Sequence, residues 1–407
     1  MSPNSLRAPL PALLVLLACA VLGLTGRGAM ESQAVFFLPL EEAFGWVRSE
    51  VAAVYSLCFI ALGLSGPLVG LLFDRYGPVP IYAAGVCLSA LALALASHAD
   101  ALWQIYLSAG LLLGGGIALM GPVSHAALLS RWFSSRLSSA LAASYAASAL
   151  GMLVTAPYAQ WLIETWDWRG AWLAMALSVH ALLPLVGLMA WLRAGRGGVA
   201  SADRARQEGR TDGLSLRQAF RHPGYWGLNI SFVLTGIGMY SVLPHSVAML
   251  QQQGFSESDA AWAFGAVGLA APLGMVGFGW LADRIGRRPA VLLSYACTLA
   301  GVASLFIQFS GPSWPGLIVF VVLFGGTFGS RGPAITTIAA SLFGGPHFGR
   351  IYGTITIAMG LGGALGALVG GFWYDLTGGY TAGLVFSLFS LCVGLLPFAL
   401  LPSLARA

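Results

Sequence analysis

Apolar residues follow one another along this chain in blocks of about 20, and the polar residues between blocks are few and clustered. At roughly 1.5 Å of rise per residue, a helical block of that length crosses the ~30 Å hydrocarbon core of a bilayer. The pattern predicts twelve spanning helices. Six cover residues 10–38, 49–73, 78–97, 101–130, 137–162 and 170–192, and six cover 223–252, 258–282, 289–309, 314–343, 349–374 and 380–402. The one long polar stretch, RAGRGGVASADRARQEGRTDGLSLRQAFRHP, falls between the two sets of six. It predicts an N-terminal unit at 1–192, a linker at 193–222 with a short amphipathic helix near Leu214–Phe220, and a C-terminal unit at 223–407. The N-terminal MSPNSLRAPLPALLVLLACAVLGLTG has the basic-then-apolar order of a secretory signal. It lacks a clear A-x-A site and its apolar pattern runs on toward Phe37, so it reads as the first span.

Composition sharpens this picture. The 407 residues are 57% hydrophobic and 9% charged, against about 25% charged in soluble domains. A soluble protein of this size would lack the polar surface to cover its core. The twenty basic residues are all arginine. Sixteen fall on the side of the N-terminus and the linker, while Arg48 and Arg169 fall on the other. That asymmetry predicts both termini in the cytoplasm, in a plasma membrane of the bacterial inner-membrane type. The arginines lie between apolar runs and form no basic face, which excludes nucleic acid as a partner. Cys19, Cys58, Cys87, Cys297 and Cys392 all sit within apolar blocks and form no metal-ligand pattern. GTFGSRG and GLGGALG are glycine-rich, but they lie inside spans without the strand, helix and lysine of a nucleotide loop. No cofactor, metal or catalytic constellation is expected, and the length suits a monomer.

The two halves repeat each other. GLLFDRYG (Gly70–Gly77) recurs as GWLADRIG (Gly279–Gly286), and at nearly the same offset GGGIALMGP (Gly114–Pro122) recurs as GGTFGSRGP (Gly325–Pro333). LTGRG (Leu24–Gly28) likewise meets LTGIG (Leu234–Gly238). Duplicated six-span halves are a transporter signature. The pattern G-x-x-x-D-R-x-G-R-R, complete at Gly279, Asp283, Arg284, Gly286, Arg287 and Arg288, resembles the loop motif of the major facilitator superfamily. In the first half Gly70, Asp74, Arg75 and Gly77 remain, but Pro78-Val79-Pro80 replaces the basic tail. Stretches such as VFFLPLEEAFGW (Val35–Trp46), SRWFSSRLSSALAASYAASALG (Ser130–Gly151) and DLTGGY (Asp375–Tyr380) resemble the monocarboxylate porter and oxalate/formate antiporter branch. The chain departs from that branch in two places. The eighth span, at GLAAPLGM (Gly268–Met275), carries no arginine, and no lysine occurs in the first or eleventh. The resemblance implies an all-α membrane protein of two pseudo-symmetric six-helix bundles, with helices 1, 4, 7 and 10 lining a central cavity. It also implies that Asp74, Arg75, Asp283 and Arg284 take part in conformational gating.

Charges inside the spans then stand out. An arginine at a helix centre costs roughly 2.5–3.5 kcal/mol to insert on a translocon scale. Arg331 lies mid-span in the tenth helix, and Arg27 mid-span in the first, with Glu31 four residues on and on the same face. His125 on the fourth helix and Asn229, Tyr240 and His245 on the seventh complete the set of candidate contacts. Gly121-Pro122 and Gly332-Pro333 could loosen their helices. A guanidinium is a planar fork that pairs with a carboxylate through two bonds. Two arginines and one glutamate leave one net positive charge, enough for a monoanion. The expected function is secondary active transport of a small organic anion, a monocarboxylate by class, by alternating access. Glu31 would take the coupled proton. Efflux of hydrophobic or drug-like compounds is the second transport reading, against which the buried arginines argue where the drug is cationic. A non-transporting membrane sensor is the reading of another class, and neither the linker nor the tails hold a signalling domain to support it.

Overall fold

The computed structural model describes residues 10–133, 137–192, 214–343, 348–401 and 404. All regular structure among them is helical. Nine stretches among the described residues are long and apolar enough to cross a membrane. One of them, Ala140–Trp191, turns over at Trp166 and Asp167, where Asp167 takes a φ of 65°, and so supplies two spans. Two further expected spans are helical but interrupted. The twelve helices are α1 (Leu10–Phe44), α2 (Arg48–Tyr76), α3 (Pro78–Ser97), α4 (Leu102–Trp132), α5 (137–165) and α6 (168–191) in the first half. In the second half they are α7 (223–252), α8 (Glu257–Ile285), α9 (Arg287–Ser310), α10 (314–343), α11 (Phe348–Thr377) and α12 (Thr381–Leu400). They form two six-helix bundles. The polar linker expected at 193–222 lies outside the described residues up to position 213. After it, Leu216–Ala219 is a short helix capped by the box of Ser215 and Gln218.

Local chemistry sets the turns. Asp167 Oδ1 accepts the backbone N–H groups of Arg169 and Gly170, at 2.7 and 2.9 Å, and so caps the start of α6. Gly77 and Gly286, the last glycines of the repeated D-R-x-G pattern, sit at φ 80° and 92° and end α2 and α8. A side chain is strained there, which explains why both halves keep a glycine.

Lipid offers no hydrophobic drive between helices, so they meet through small residues. A Cβ on Gly151 of α5 would overlap the Leu24 carbonyl of α1, and one on Gly362 of α11 would overlap the Val233 carbonyl of α7. These are matching crossings in the two halves. The closest approach joins α8 to α10, where a Cβ on Gly274 would fall on the Gly326 carbonyl. Gly274→Ala should therefore force these helices apart, at a cost of about 1–3 kcal/mol. The expected result is a melting temperature several degrees lower in detergent. Gly279→Ala, whose Cβ meets nothing within 4 Å among the described residues, should leave it unchanged.

Two faces of the bundle pair differ. The face carrying the linker is here the linker side, and the other the far side. On the far side the bundles are in contact. Ser56 of α2 donates to the Ala364 carbonyl of α11 at 2.6 Å, and Gln160 of α5 donates to Glu257 of α8 at 2.8 Å. Toward the linker side the bundles part. Cβ atoms on Gly63, Gly66 and Gly70 of α2, or on Gly360 of α11, would meet nothing within 4 Å among the described residues.

Candidate functional site

A cavity of about 290 Å³ lies between the bundles at mid-depth. Its walls come from α1, α4, α5, α7, α8, α10 and α11 with Leu62 of α2, and include Arg27, Tyr240, Phe328 and Arg331. The helices that build it are broken beside it. In α1, Glu31 is the last α-helical residue before a 3₁₀ turn at Ser32–Phe36. In α4 the helix stops at Leu119 and restarts at Pro122. In α7 it stops at Tyr240 and restarts at Ser246. In α10 a wide turn at Phe320–Gly325 ends the first piece, Gly329 takes φ 80°, and Arg331 opens the second. The interruptions in α4 and α10 thus fall at or just before the Gly-Pro pairs. Non-helical backbone at membrane depth is tolerated where it lines a cavity. Here Met120 and Gly121, and Phe328 and Gly329, do so. The positive N-terminal ends of two half-helices therefore face the cavity, one from each bundle.

Arg331 is 4% exposed. It donates to Thr298 Oγ1 at 2.9 Å and to the sulfur of Met239 at 3.0 Å, and it lies over the Tyr295 ring at 4.4 Å. Thr298 also bonds Thr327, and Tyr295 bonds Thr235 at 2.6 Å, so both supporting groups are held in place. Among the described residues Arg331 has no acidic partner. Arg27 is ion-paired with Glu31, donates to the Tyr240 hydroxyl at 3.1 Å, and sits 6.0 Å from the Phe328 ring centroid. Glu31 is fully buried, accepts a bond from the Tyr55 hydroxyl, and lies behind Arg27 and not in the cavity wall. The two arginines come from opposite bundles and meet adjacent residues of α7, Met239 and Tyr240. The repeat does not generate this pair, since Arg331 aligns with Met120 and Arg27 with Ile237.

The other sequence candidates lie elsewhere. His125 is 1% exposed, contacts Ser144 at 3.2 Å and stacks on Tyr82, one layer behind Gly23 and Ser148 of the wall. His245 is buried toward the far side, bonded to the Ala367 carbonyl at 2.8 Å and edge-on to Phe37. Asn229 donates to the Tyr225 carbonyl of its own helix at 2.9 Å. Asp74, Arg75, Asp283 and Arg284 are exposed on the linker side. Arg75 and Arg284 rest on the neighbouring rings of Tyr76 and Trp280, and among the described residues neither aspartate is hydrogen-bonded or ion-paired. The complete motif of the second half also reaches a neighbouring helix end. Arg288 donates to the Phe398 and Ala399 carbonyls at 2.9 and 2.6 Å, at the negative end of α12.

One cluster was not among the sequence candidates. On the far side Arg48 is 2% exposed and ion-paired with Glu41, donates to the Tyr380 hydroxyl, and lies 4.4 Å from the Tyr374 ring centroid. Asp375 of α11 accepts the backbone N–H groups of Arg48 and Ser49, both at 2.8 Å. The acidic pair Glu41-Glu42 shortly before Arg48 was a signal in the sequence, but its distant partners carried none.

Comparison with known proteins gives a consistent result. The model of the Major Facilitator Superfamily matches residues 13–271 and 229–406. Monocarboxylate transporter 13 of Bos taurus is 32% identical over 363 residues, which cover 88% of this chain and 82% of that protein. Human monocarboxylate transporter 11 is 28% identical over 383 residues (91% and 78%), and human monocarboxylate transporter 2 is 24% identical over 365 (85% and 76%).

Proposed function

The chain belongs to the Major Facilitator Superfamily, as a transporter and not an enzyme, and from this premise we propose that it carries a small organic monocarboxylate together with a proton. One observation carries the reading: Arg331, a permanent cation in the cavity wall, has no acidic partner among the described residues. A buried unpaired charge costs several kcal/mol by order of magnitude, and an anionic cargo would supply the missing partner. Arg27, also in the cavity wall, is already neutralised by Glu31, so the site keeps one net positive charge. The half-helix ends on α4 and α10 add positive potential in the same place. The named activity of the relatives supports a carboxylate as that anion.

Movement would follow by alternating access. The far side is held by contacts between bundles and the linker side is parted, which supports an inward-facing reading if the arginine-rich side is cytoplasmic. In the opposite state Asp74 and Asp283 would leave solvent and dock at helix ends. We place both termini in the cytoplasm of a cell whose plasma membrane holds the protein as a monomer.

The test is counterflow exchange in proteoliposomes with labelled monocarboxylates. Carboxylates should exchange and their amides should not, and equal exchange of an amide would overturn the reading. Coupling has a separate test. Glu31 touches Arg27 from behind, so an anion that draws Arg27 into the cavity would leave Glu31 ready to accept a proton. Glu31→Gln should abolish accumulation driven by a pH gradient while sparing exchange. Undiminished accumulation would remove Glu31 from the coupling step.

A further inference from the structure

Six of the ten methionines of the chain line the cavity: Met30, Met120, Met152, Met239, Met275 and Met359. Each comes from a different helix, α1, α4, α5, α7, α8 and α11 in turn. The wall comprises 27 of 407 residues, so an even spread would place fewer than one methionine in it. Phe232, Phe328, the ring of Tyr240 and aliphatic residues such as Ile117 and Ile335 add to the apolar surface, while Ser148 and Thr235 are among its few polar side chains.

Methionine is unbranched and its thioether is polarisable. It adapts to irregular shapes and makes favourable contacts with the edges of aromatic rings. A wall of such side chains gives little to a cargo made mostly of polar atoms. The volume also matters. At about 290 Å³ the cavity is near the lower end of the range for drug-sized ligands, and a three-carbon hydroxyacid would leave most of the wall uncovered. The two arginines contact Tyr240 and Met239, while Met152, Met275 and Met359 extend the wall from α5, α8 and α11. The wall thus combines an unpaired cation for one anionic head with apolar surface from six helices for the rest of the cargo.

We propose that the cargo is an arylalkanoate-type monocarboxylate, its carboxylate at Arg331 and its aromatic body against the methionine wall. This rests on the carboxylate reading above and adds the chemistry of the remainder of the molecule. Small hydroxyacids would bind weakly, because they carry the head without the body.

The experiment measures inhibition of counterflow in proteoliposomes by lactate, 3-phenylpropionate and 3-phenylpropionamide. The expected result is that 3-phenylpropionate competes about tenfold or more tightly than lactate, and that the amide fails. Lactate as tight as 3-phenylpropionate overturns this inference and leaves the carboxylate reading standing. An amide as tight as its acid overturns the carboxylate reading itself. Met152→Gln and Met275→Gln, each checked for an unchanged melting temperature, provide the second arm. Each should weaken 3-phenylpropionate several-fold more than it weakens lactate. Unchanged 3-phenylpropionate binding in both variants, or equal losses for the two acids, overturns the assignment of the wall.

Discussion

Arg331→Ala should eliminate carboxylate exchange while leaving the protein folded. In the wild type the guanidinium is held by Thr298 and Met239 and backed by the Tyr295 ring, none of which neutralises it. Its charge is therefore available to a ligand. Losing one partner of a buried charge pair costs about 2–5 kcal/mol, which is roughly 30-fold or more in Kd. Exchange at a fixed, modest substrate concentration should fall by at least that factor. The measurement that separates binding from bracing is thermal stability. A ligand that binds only the native state raises its melting temperature, and this shift should vanish in Arg331→Ala. The ligand-free melting temperature should hold or rise, since removing an uncompensated buried cation relieves a desolvation cost. A brace would give the opposite pattern, with a lower baseline and an intact ligand response. Arg331→Lys keeps the charge but loses the planar fork, so it should retain part of the response.

The large-scale architecture could be read from the sequence because membranes impose it. Twelve apolar blocks had to be helices, since lipid satisfies no backbone polar group. The paired D-R-x-G turns marked the repeat, and the cost of burying charge singled out Arg27, Glu31 and Arg331. Arg27, Arg331 and Tyr240 share the cavity wall, with Glu31 paired to Arg27 behind it. What hydropathy could not show was which way a polar side chain points within its helix. His125 and Asn229 share helices with wall residues, yet one packs behind the wall and the other bonds its own backbone. The methionines carry no sequence signal for a related reason: on six separate helices they are ordinary apolar residues until the fold converges them. In the sequence Arg48 is only one of two charges on the sparse side. Its partner Asp375 lies 327 positions away, a separation that no local pattern spans.

That distant pair carries the second large effect. Asp375 on α11 caps the start of α2 in the other bundle, a negative group at the positive end of a helix dipole. Arg48 completes the contact through Glu41, Tyr374 and Tyr380. If the bundles rock, this cluster must come apart each time the far side opens. Asp375→Asn keeps the shape and removes the charge, so it should shift the balance toward the far-side-open state. Coupling of about 1–3 kcal/mol corresponds to a change of roughly 5- to 150-fold in that equilibrium. Spin labels at Val47 and Phe372, both exposed near the far ends of α2 and α11, should report a longer distance population that the wild type lacks. Ligand affinity measured from the linker side should weaken, because the state that opens there becomes rarer. Asp100→Asn is the control. Its ion pair with Arg169 joins two parts of the same bundle, and the side chains are 83% and 37% exposed, so water and salt screen it. It should change neither distance nor affinity. An Asp375→Asn distance distribution that coincides with the wild type would mean that the far side is held by helix packing alone, through contacts such as Ser56 on the Ala364 carbonyl and Gly371 against Ser49.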